Sequence, residues 1–197
     1  MSKKIQLIFD VGSPTAYLAY RRMQQLHAKY DIHFDLQPIL LGGVFKATGN
    51  SSPAMIPAKG RYMMQFDLPR FARLYNVPLN INPHFPINTL NLMRAAIFAK
   101  NNGMLEAYLD VVFDAIWVQE INMGNLNQVQ DQLDRSGIDG KLFIESCQDQ
   151  GIKDALIKNT EEAVNRGVFG VPTFYVDDEM FFGQDRLHFI ENMLTAS

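Results

Sequence analysis

Two short segments near opposite ends of the chain carry residue types that could handle a thiol. Gly12-Ser13-Pro14 directly follows an apolar run, and Val171-Pro172 directly precedes one. Serine is a favoured N-cap and proline suits the first helical position, so the first segment predicts a helix start. The free amide groups and partial positive charge at such an N-terminus stabilise a thiolate, to which a serine hydroxyl can donate. Because the one cysteine, Cys147, lies outside both segments, the sulfur would have to arrive with a ligand.

Both segments also have a purely structural interpretation. Ser13 could serve only as a helix cap, which is the commoner role of a Ser-Pro pair before an amphipathic run. Pro172 could stand in the trans form at the first position of a strand. A cis bond, found at about 5–6% of X-Pro sites, would instead leave the backbone of Val171 free to pair with a peptide-like ligand.

Hydrophobic periodicity predicts the elements that position the first segment. Ile5 to Val11 is nearly continuous in apolar residues, which predicts a buried strand, and helical spacing runs from Pro14 to about Tyr30. Ile32 to Ile39 alternates like a second strand. A strand, helix and strand in this order favour parallel pairing with a right-handed crossover.

The remaining pattern predicts a helical middle and a β-hairpin near the end. Residues 42–57 are rich in Gly, Ser, Asn and Pro and predict a loop with room for one short helix. Pro172 to Val176 and Glu179 to Phe182 alternate around an Asp177-Asp178 turn, and a closing helix from Asp185 to Leu194 would be capped by Asp185. The order predicts an α/β fold in which a βαβ start and a ββα end enclose an all-helical insertion. The inserted helices are predicted at 61–75, 88–100, 105–116, 126–133, 140–147 and 151–166.

Composition argues against several classes of partner. The 197 residues are 47% hydrophobic and 20% charged, typical of a globular protein with a sizeable core. The net charge is −3 without a basic run, so we expect no nucleic acid partner. The apolar stretches are too short for a membrane span or a signal peptide, so we expect a cytoplasmic protein without membrane contact. The four histidines lack ligand spacing, so we expect no metal site, and Cys147 is expected to be a packed side chain.

A set of short motifs runs through the chain in order and is similar to a known family. The set resembles the 2-hydroxychromene-2-carboxylate isomerases and the kappa-class glutathione transferases, which are relatives of DsbA. The resemblance implies a thioredoxin-like domain formed by residues 1–60 and 165–197, with a helical insertion domain at 61–164. The motifs are Phe9-Asp10-x-x-Ser13-Pro14-x-x-Tyr17-Leu18, Gly49-Asn50, Lys59-Gly60-Arg61-Tyr62-Met63, Phe85-Pro86-x-Asn88, Phe169-Gly170-Val171-Pro172-Thr173 and Phe182-Gly183-Gln184-Asp185-Arg186.

The resemblance also implies that the ligand is glutathione. Ser13 matches the serine beside the glutathione sulfur, and Val171 matches the residue before a cis-proline, here Pro172, whose backbone pairs with the cysteinyl unit. Glutathione carries two carboxylates and an ammonium, so cationic, anionic and amide side chains near a helix N-terminus are a sensible complement. The residues matched to the rest of the tripeptide are Asn50 and Lys59, and at the γ-glutamyl end Gln184 and Asp185.

These polar residues have alternative roles that the sequence leaves open. Lys59 could be a solvated surface charge, and Asn50 could be a turn former. Asp185 could cap the last helix, alone or in addition to binding.

The sequence departs from the family pattern at three positions. Thr15 and Ala16 stand where an aromatic residue and a serine are usual, and Gln184 stands where serine or asparagine is more usual. These departures predict an intact glutathione site beside an altered wall for the second substrate. Any one of the apolar candidates for that wall could equally be a core residue. The candidates for the wall are Thr15, Phe45, Met64, Phe85 and Trp117.

The function predicted from these residues is a glutathione-dependent isomerase with glutathione as cofactor and a small hydrophobic or aromatic-derived electrophile as substrate. A kappa-like transferase that conjugates glutathione would use the same site, so the sequence does not separate the two activities. A non-catalytic thioredoxin-like binding domain is the alternative of another class. A dithiol oxidoreductase is excluded because residues 12–15 hold no redox-active sulfur. The resemblance also implies a homodimer.

Overall fold

The computed structural model describes residues 5–30 and 32–195 and contains one four-stranded sheet. The strand order is β2-β1-β3-β4, with β1 parallel to β2 and antiparallel to β3, and β3 antiparallel to β4. The predicted βαβ start and ββα end are confirmed. The strands are β1 (Ile5–Phe9), β2 (Phe34–Pro38), β3 (Thr173–Val176) and β4 (Glu179–Phe182).

Helices cover the sheet and form the middle of the chain. Within the described residues, no helix is long and apolar enough to cross a membrane. Short helical turns flank the longer ones: 3-10 turns at Pro53–Met55 and Gln184–Arg186 and a π-helical segment at Met63–Asp67. The α-helices are α1 (Pro14–Tyr30), α2 (Leu41–Thr48), α3 (Pro57–Tyr62), α4 (Leu68–Tyr75), α5 (Leu90–Asn101), α6 (Leu105–Trp117), α7 (Leu126–Arg135), α8 (Gly140–Ser146), α9 (Gln150–Asn165) and α10 (Leu187–Thr195).

The helix predicted at 61–75 is instead three segments of different winding. Pro69 lies near the start of α4 and has no N–H, so it cannot donate to the carbonyl one turn earlier. The chain widens there into the π-helical segment, in which the Leu68 N–H bonds to the Met63 oxygen five residues back. The segment predicted at 42–57 as a loop with room for one short helix does hold such a helix, α2, which ends where Gly49 adopts the left-handed conformation with φ 69°.

The sheet register brings the two sequence segments together. Ile8 of β1 pairs with Thr173 of β3, so the loop after β1 lies beside the loop before β3. Both strands are central in the sheet, and the β1 residues Ile5, Leu7 and Phe9 are at most 1% exposed. The elements that position the site are therefore the most deeply buried strands of the fold. The division into domains at 1–60, 61–164 and 165–197 stays a prediction.

Candidate active site

The loop between β1 and α1 is a tight turn organised by a buried carboxylate. The Ser13 N–H donates to the Asp10 backbone oxygen at 3.1 Å. The Asp10 carboxylate, 1% exposed, accepts from the Gly12 N–H at 2.9 Å, the Leu41 N–H at 2.8 Å and the Thr89 hydroxyl at 3.1 Å. Burial raises the pKa of Asp10, while the three hydrogen bonds oppose that shift. One side chain thus ties the loop to α2 and to the chain entering α5.

Two further contacts hold the same loop from the helical side. The Trp117 indole N–H donates to the Val11 oxygen at 2.9 Å, and the Val11 N–H reaches the Met93 sulfur at 3.4 Å. A Cβ on Gly12 would lie 2.7 Å from the Thr89 methyl group, so the loop approaches Thr89 more closely than a larger residue allows. The position of the loop is therefore set by residues about 80 to 100 positions away.

Ser13 caps α1 and faces the loop before β3, with its side chain 6% exposed. Its oxygen accepts from the Ala16 N–H at 3.2 Å, which confirms the predicted N-cap. The same oxygen lies 2.8 Å from the Thr15 hydroxyl and 3.5 Å from the Val171 oxygen, and the Thr15 hydroxyl donates to the Val171 oxygen at 3.3 Å. Two hydroxyls from α1 therefore converge on the backbone of Val171.

The Val171-Pro172 peptide bond is cis, as the sequence motif predicts. The Pro172 oxygen accepts from the Gly183 N–H at 2.9 Å, which anchors this loop to the residue after β4. On the other side, the Asn50 amide donates to the Phe169 oxygen at 2.8 Å. Asn50 is thereby joined to the loop that carries the cis-proline rather than to a local turn.

The predicted γ-glutamyl pair lies beyond Gly183, in the 3-10 turn before α10. Gln184 is 5% exposed, and its backbone oxygen accepts from the Tyr75 hydroxyl at 2.7 Å. Burial of that phenol raises the pKa of Tyr75 to about 12, so it remains a donor at neutral pH. The prediction that Asp185 caps the last helix differs from the structure. Asp185 lies inside the turn, whose cap position is Gly183, and its carboxylate pairs with the Arg186 side chain instead.

Lys59 lies in α3 with an exposed side chain, and among the described residues it has no salt bridge. Gly60, the residue after Lys59, explains how the preceding 3-10 turn packs against α3. A Cβ on Gly60 would overlap the Ala54 backbone oxygen, so the 3-10 turn at Pro53–Met55 packs directly on the α3 backbone. The structure shows no direct bond from Lys59 to the Ser13 loop, so its role as a ligand contact stays a prediction.

The candidates for the second-substrate wall divide by burial. Phe85 is half-buried, with its ring centroid 5.8 Å from that of Trp117, and its bond to Pro86 is also cis. Trp117 is 0% exposed, so it supports Phe85 and the Val11 loop from behind and offers no surface of its own. Phe45 and Met64 are half-buried on α2 and the π-helical segment. Their contact with a substrate stays a prediction.

Sequence reasoning missed three residues of this site. Asp10 belongs to one of the sequence motifs but was assigned no role, and Thr89 and Tyr75 belong to none of the motifs. A single acidic residue directly after a nearly continuous apolar strand is the signal that could have found Asp10, because a carboxylate there is buried and must be hydrogen-bonded. Thr89 and Tyr75 act through bonds to residues 79 and 109 positions away, which local patterns do not report.

Cys147 takes no part in the candidate site, and no metal-binding cluster accompanies that site among the described residues. Cys147 is 3% exposed and donates to the Asn91 oxygen at 3.2 Å, which confirms the expected packed side chain. Burial raises the pKa of the Cys147 thiol, which disfavours the reactive thiolate. In residues 5–30 and 32–195 no group of three or more His, Cys, Asp or Glu side chains could hold a metal ion.

Comparisons with known proteins match the whole chain. Residues 4–195 match the family model of the DSBA-like thioredoxin domain. The sequence is 32% identical to 2-hydroxychromene-2-carboxylate isomerase from Sphingobium xenophagum, over 98% of this chain and 99% of that protein. It is 27% identical to glutathione S-transferase kappa 1 from Rattus norvegicus, over 96% of this chain and 90% of that protein. The solved structure of a 2-hydroxychromene-2-carboxylate isomerase superposes with a TM-score of 0.88 at 28% identity, covering 98% of this chain and 94% of the other. These matches confirm the predicted thioredoxin-like fold with a helical insertion.

Proposed function

This chain belongs to the family of DSBA-like thioredoxin domains, its full-length relatives are enzymes, and from that premise we propose a glutathione-dependent isomerase. The observation that carries the proposal is the buried Ser13 hydroxyl at the N-terminus of α1, facing a cis Val171-Pro172 bond where no cysteine is present. The activity proposed is that of the 2-hydroxychromene-2-carboxylate isomerase type. The isomerase is preferred because that relative is the more similar of the two kinds of enzyme.

The residues present fit a bound glutathione. Among the described residues, the first-turn amide of α1 left for a ligand is that of Thr15, because Pro14 has no N–H and the Ala16 N–H donates to Ser13. This amide and the Ser13 hydroxyl would donate to the sulfur, and the Val171 backbone would pair with the cysteinyl unit. The unpaired Lys59 would bind a carboxylate, and Asp185 would bind the ammonium group. Asn50 and Gln184 would complete the polar contacts.

When bound, glutathione would supply a thiolate nucleophile for reversible addition to a conjugated double bond of the substrate. The protein's part is to keep that sulfur ionised at neutral pH. The Ser13 hydroxyl and the positive end of α1 both favour the thiolate over the thiol. The hydrogen bonds to Asp10 and Val11 keep the loop fixed, so that little reorganisation is needed during the reaction.

Product analysis distinguishes the proposed activity from conjugation. With 2-hydroxychromene-2-carboxylate as substrate, we expect the isomer to form while the glutathione concentration stays constant. A kappa-like transferase would consume one glutathione per turnover, and that result would contradict the isomerase assignment.

Calorimetry tests the binding site itself. Glutathione should bind the wild-type protein, and Lys59→Gln should weaken binding about 10-fold through loss of one charge-assisted hydrogen bond. Lys158→Gln is the matched control, because Lys158 is exposed on α9 and already pairs with Glu162. Absence of any glutathione binding would favour the non-catalytic binding domain.

Thr15 offers a prediction at a position where the chain departs from its relatives. Thr15→Val keeps the side-chain shape but removes the hydroxyl that bonds to Ser13 and to the Val171 oxygen. We expect turnover to fall roughly 3- to 10-fold, the effect of losing one ordinary hydrogen bond. Thr15→Ser retains the hydroxyl and should stay near wild-type turnover. Equal activity of Thr15→Val and wild type would mean that Thr15 acts only through its shape.

The predicted homodimer follows from the family resemblance, and the predicted location follows from the short apolar stretches of the sequence. We expect a homodimer, a cytoplasmic location and a small hydrophobic or aromatic-derived electrophile as second substrate. Light scattering on the purified chain tests the first of these directly.

A further inference from the structure

A groove opens between α2, α5 and α9. Its volume is about 580 Å³, within the range of small-molecule sites. None of the predicted glutathione-binding residues lines it. Apolar side chains from all three helices and from Leu40, the cap residue of α2, form most of its lining, chiefly Leu40, Ala47, Leu90, Leu156, Ile157 and Val164.

The rim of this groove is cationic although the chain as a whole is acidic. Lys46, Arg94 and Lys153 all line it, against Glu161 as the one acidic residue of the lining. Among the described residues, none of these three cations forms a salt bridge. By contrast, Lys158, which lies on α9 like Lys153, forms a salt bridge with Glu162. The groove therefore gathers positive charge that the protein's own carboxylates leave uncompensated.

Arg94 supplies an independent sign of a missing partner. Its Nε atom is the one buried side-chain nitrogen or oxygen that lacks a hydrogen-bond partner in residues 5–30 and 32–195. The guanidinium makes only a long contact, 3.5 Å, to the Cys147 backbone oxygen. Among the described residues, that long contact is the one bond of the terminal N–H groups of Arg94. These groups form a planar fork that matches a carboxylate, so they remain able to donate to an acceptor on a ligand.

We infer that this groove is a second binding site, for an amphipathic anion that consists of one carboxylate on an apolar aryl or acyl body. The apolar body would occupy the space between Leu90, Leu156 and Ile157, and the carboxylate would meet Arg94 with Lys46 or Lys153 at the rim. A fully polar ligand would leave the apolar lining unused, and a neutral hydrocarbon would leave the cations unpaired. The site does not depend on the glutathione chemistry proposed above.

The test is equilibrium binding of 2-naphthoate and of decanoate to the full chain without glutathione. Both carboxylates should bind saturably at one site, and uncharged 2-naphthamide should bind at least 10-fold more weakly. Lys153→Gln and Lys46→Gln should each weaken carboxylate binding several-fold, whereas Lys158→Gln should not. Ala47→Trp, which fills the mouth of the groove with a large ring, should abolish binding of both probes.

Three results would overturn the inference. The first is no saturable carboxylate binding. The second is equal affinity for the carboxylate and the amide, which would show an apolar cavity without charge recognition. The third is displacement of the probe by saturating glutathione, which would place it in the Ser13 site. Arg94→Met is a further variant, and thermal unfolding of each variant separates lost binding from lost folding.

Discussion

Ser13→Ala is expected to lower turnover about 10- to 100-fold and to raise the thiol pKa of bound glutathione by about one to two units. The reason is a single charge-assisted hydrogen bond, which contributes roughly 1.5–3 kcal/mol to the thiolate form. The hydroxyl lies at the N-terminus of α1, facing Val171, where the ligand sulfur is proposed to sit. Without it, the helix N-terminus and the Thr15 amide alone would favour the thiolate.

A pH–rate profile measures this effect and shows its sign. Because the hydroxyl stabilises the ionised sulfur, its removal raises the thiol pKa, and the acidic limb of the profile moves to higher pH. Ser13→Ala also removes the cap of α1, which costs about 1 kcal/mol of stability. Ser13→Gly separates the two effects, because glycine is a tolerated cap without a hydroxyl and should lose activity like alanine but less stability.

An unchanged profile in Ser13→Ala would leave Ser13 as a helix cap and nothing more. Ser146→Ala is the matched control. It removes a hydroxyl that bonds to the Phe143 oxygen in α8, outside the candidate site.

Asp10→Asn is expected to destabilise the protein by about 1–3 kcal/mol and to reduce activity with it. The carboxylate accepts from Gly12 and Leu41 N–H groups on different oxygens. An amide offers one acceptor oxygen, so whichever way it turns, its NH₂ group faces one of those N–H donors. A buried N–H without an acceptor accounts for the expected loss. Thermal unfolding should show it as a decrease in Tm of roughly 2–4 °C per kcal/mol for a chain of this size.

The pH dependence of that loss follows from the raised pKa of Asp10. A carboxyl whose pKa is raised by folding binds more protons in the folded state, so its contribution to stability is complete below the ordinary value of 3.8. The contribution is lost as the pH rises through the folded-state pKa. Urea unfolding of the wild type and of Asp10→Asn should therefore show a larger difference in the free energy of unfolding near pH 4 than at pH 7. A gap that widens toward neutral pH would mean that the three hydrogen bonds outweigh burial and lower the pKa.

Thr89→Val is the matched control for Asp10→Asn. It removes only the hydroxyl donor and keeps the methyl group that packs against Gly12. The Gly12 and Leu41 N–H groups both keep the carboxylate as their acceptor. The expected loss of stability is therefore smaller, about 1 kcal/mol.

The parts of the fold predicted well from sequence depend on short-range signals. The helix predicted from Pro14 to about Tyr30 is confirmed as Pro14–Tyr30, because its cap, its first proline and its apolar spacing are all local signals. The β-hairpin of β3 and β4 was predicted for the same reason. The segment at 61–75 was predicted as helical but not as partly π-helical, because apolar spacing does not report the local widening before Pro69.

The parts of the site that could not be predicted depend on contacts between distant elements. The three donors to Asp10 come from the adjacent turn, from α2 and from the entry to α5. The hydrogen bond from Trp117 to Val11 spans 106 residues. It shows that Trp117, predicted as a wall residue, supports the loop instead. The carboxylate-binding groove likewise joins three helices with no shared motif.

The sequence by itself determined where the two candidate segments, at Ser13-Pro14 and Val171-Pro172, are and that no cysteine is present in them, because a cap, a Ser-Pro pair and a Val-Pro pair are local features. The tertiary structure alone decided that the two segments meet, through the pairing of Ile8 with Thr173. It also decided that two hydroxyls, Ser13 and Thr15, face the Val171 oxygen. Sheet register and burial are properties of the packed chain, since each depends on partners that a local pattern does not contain.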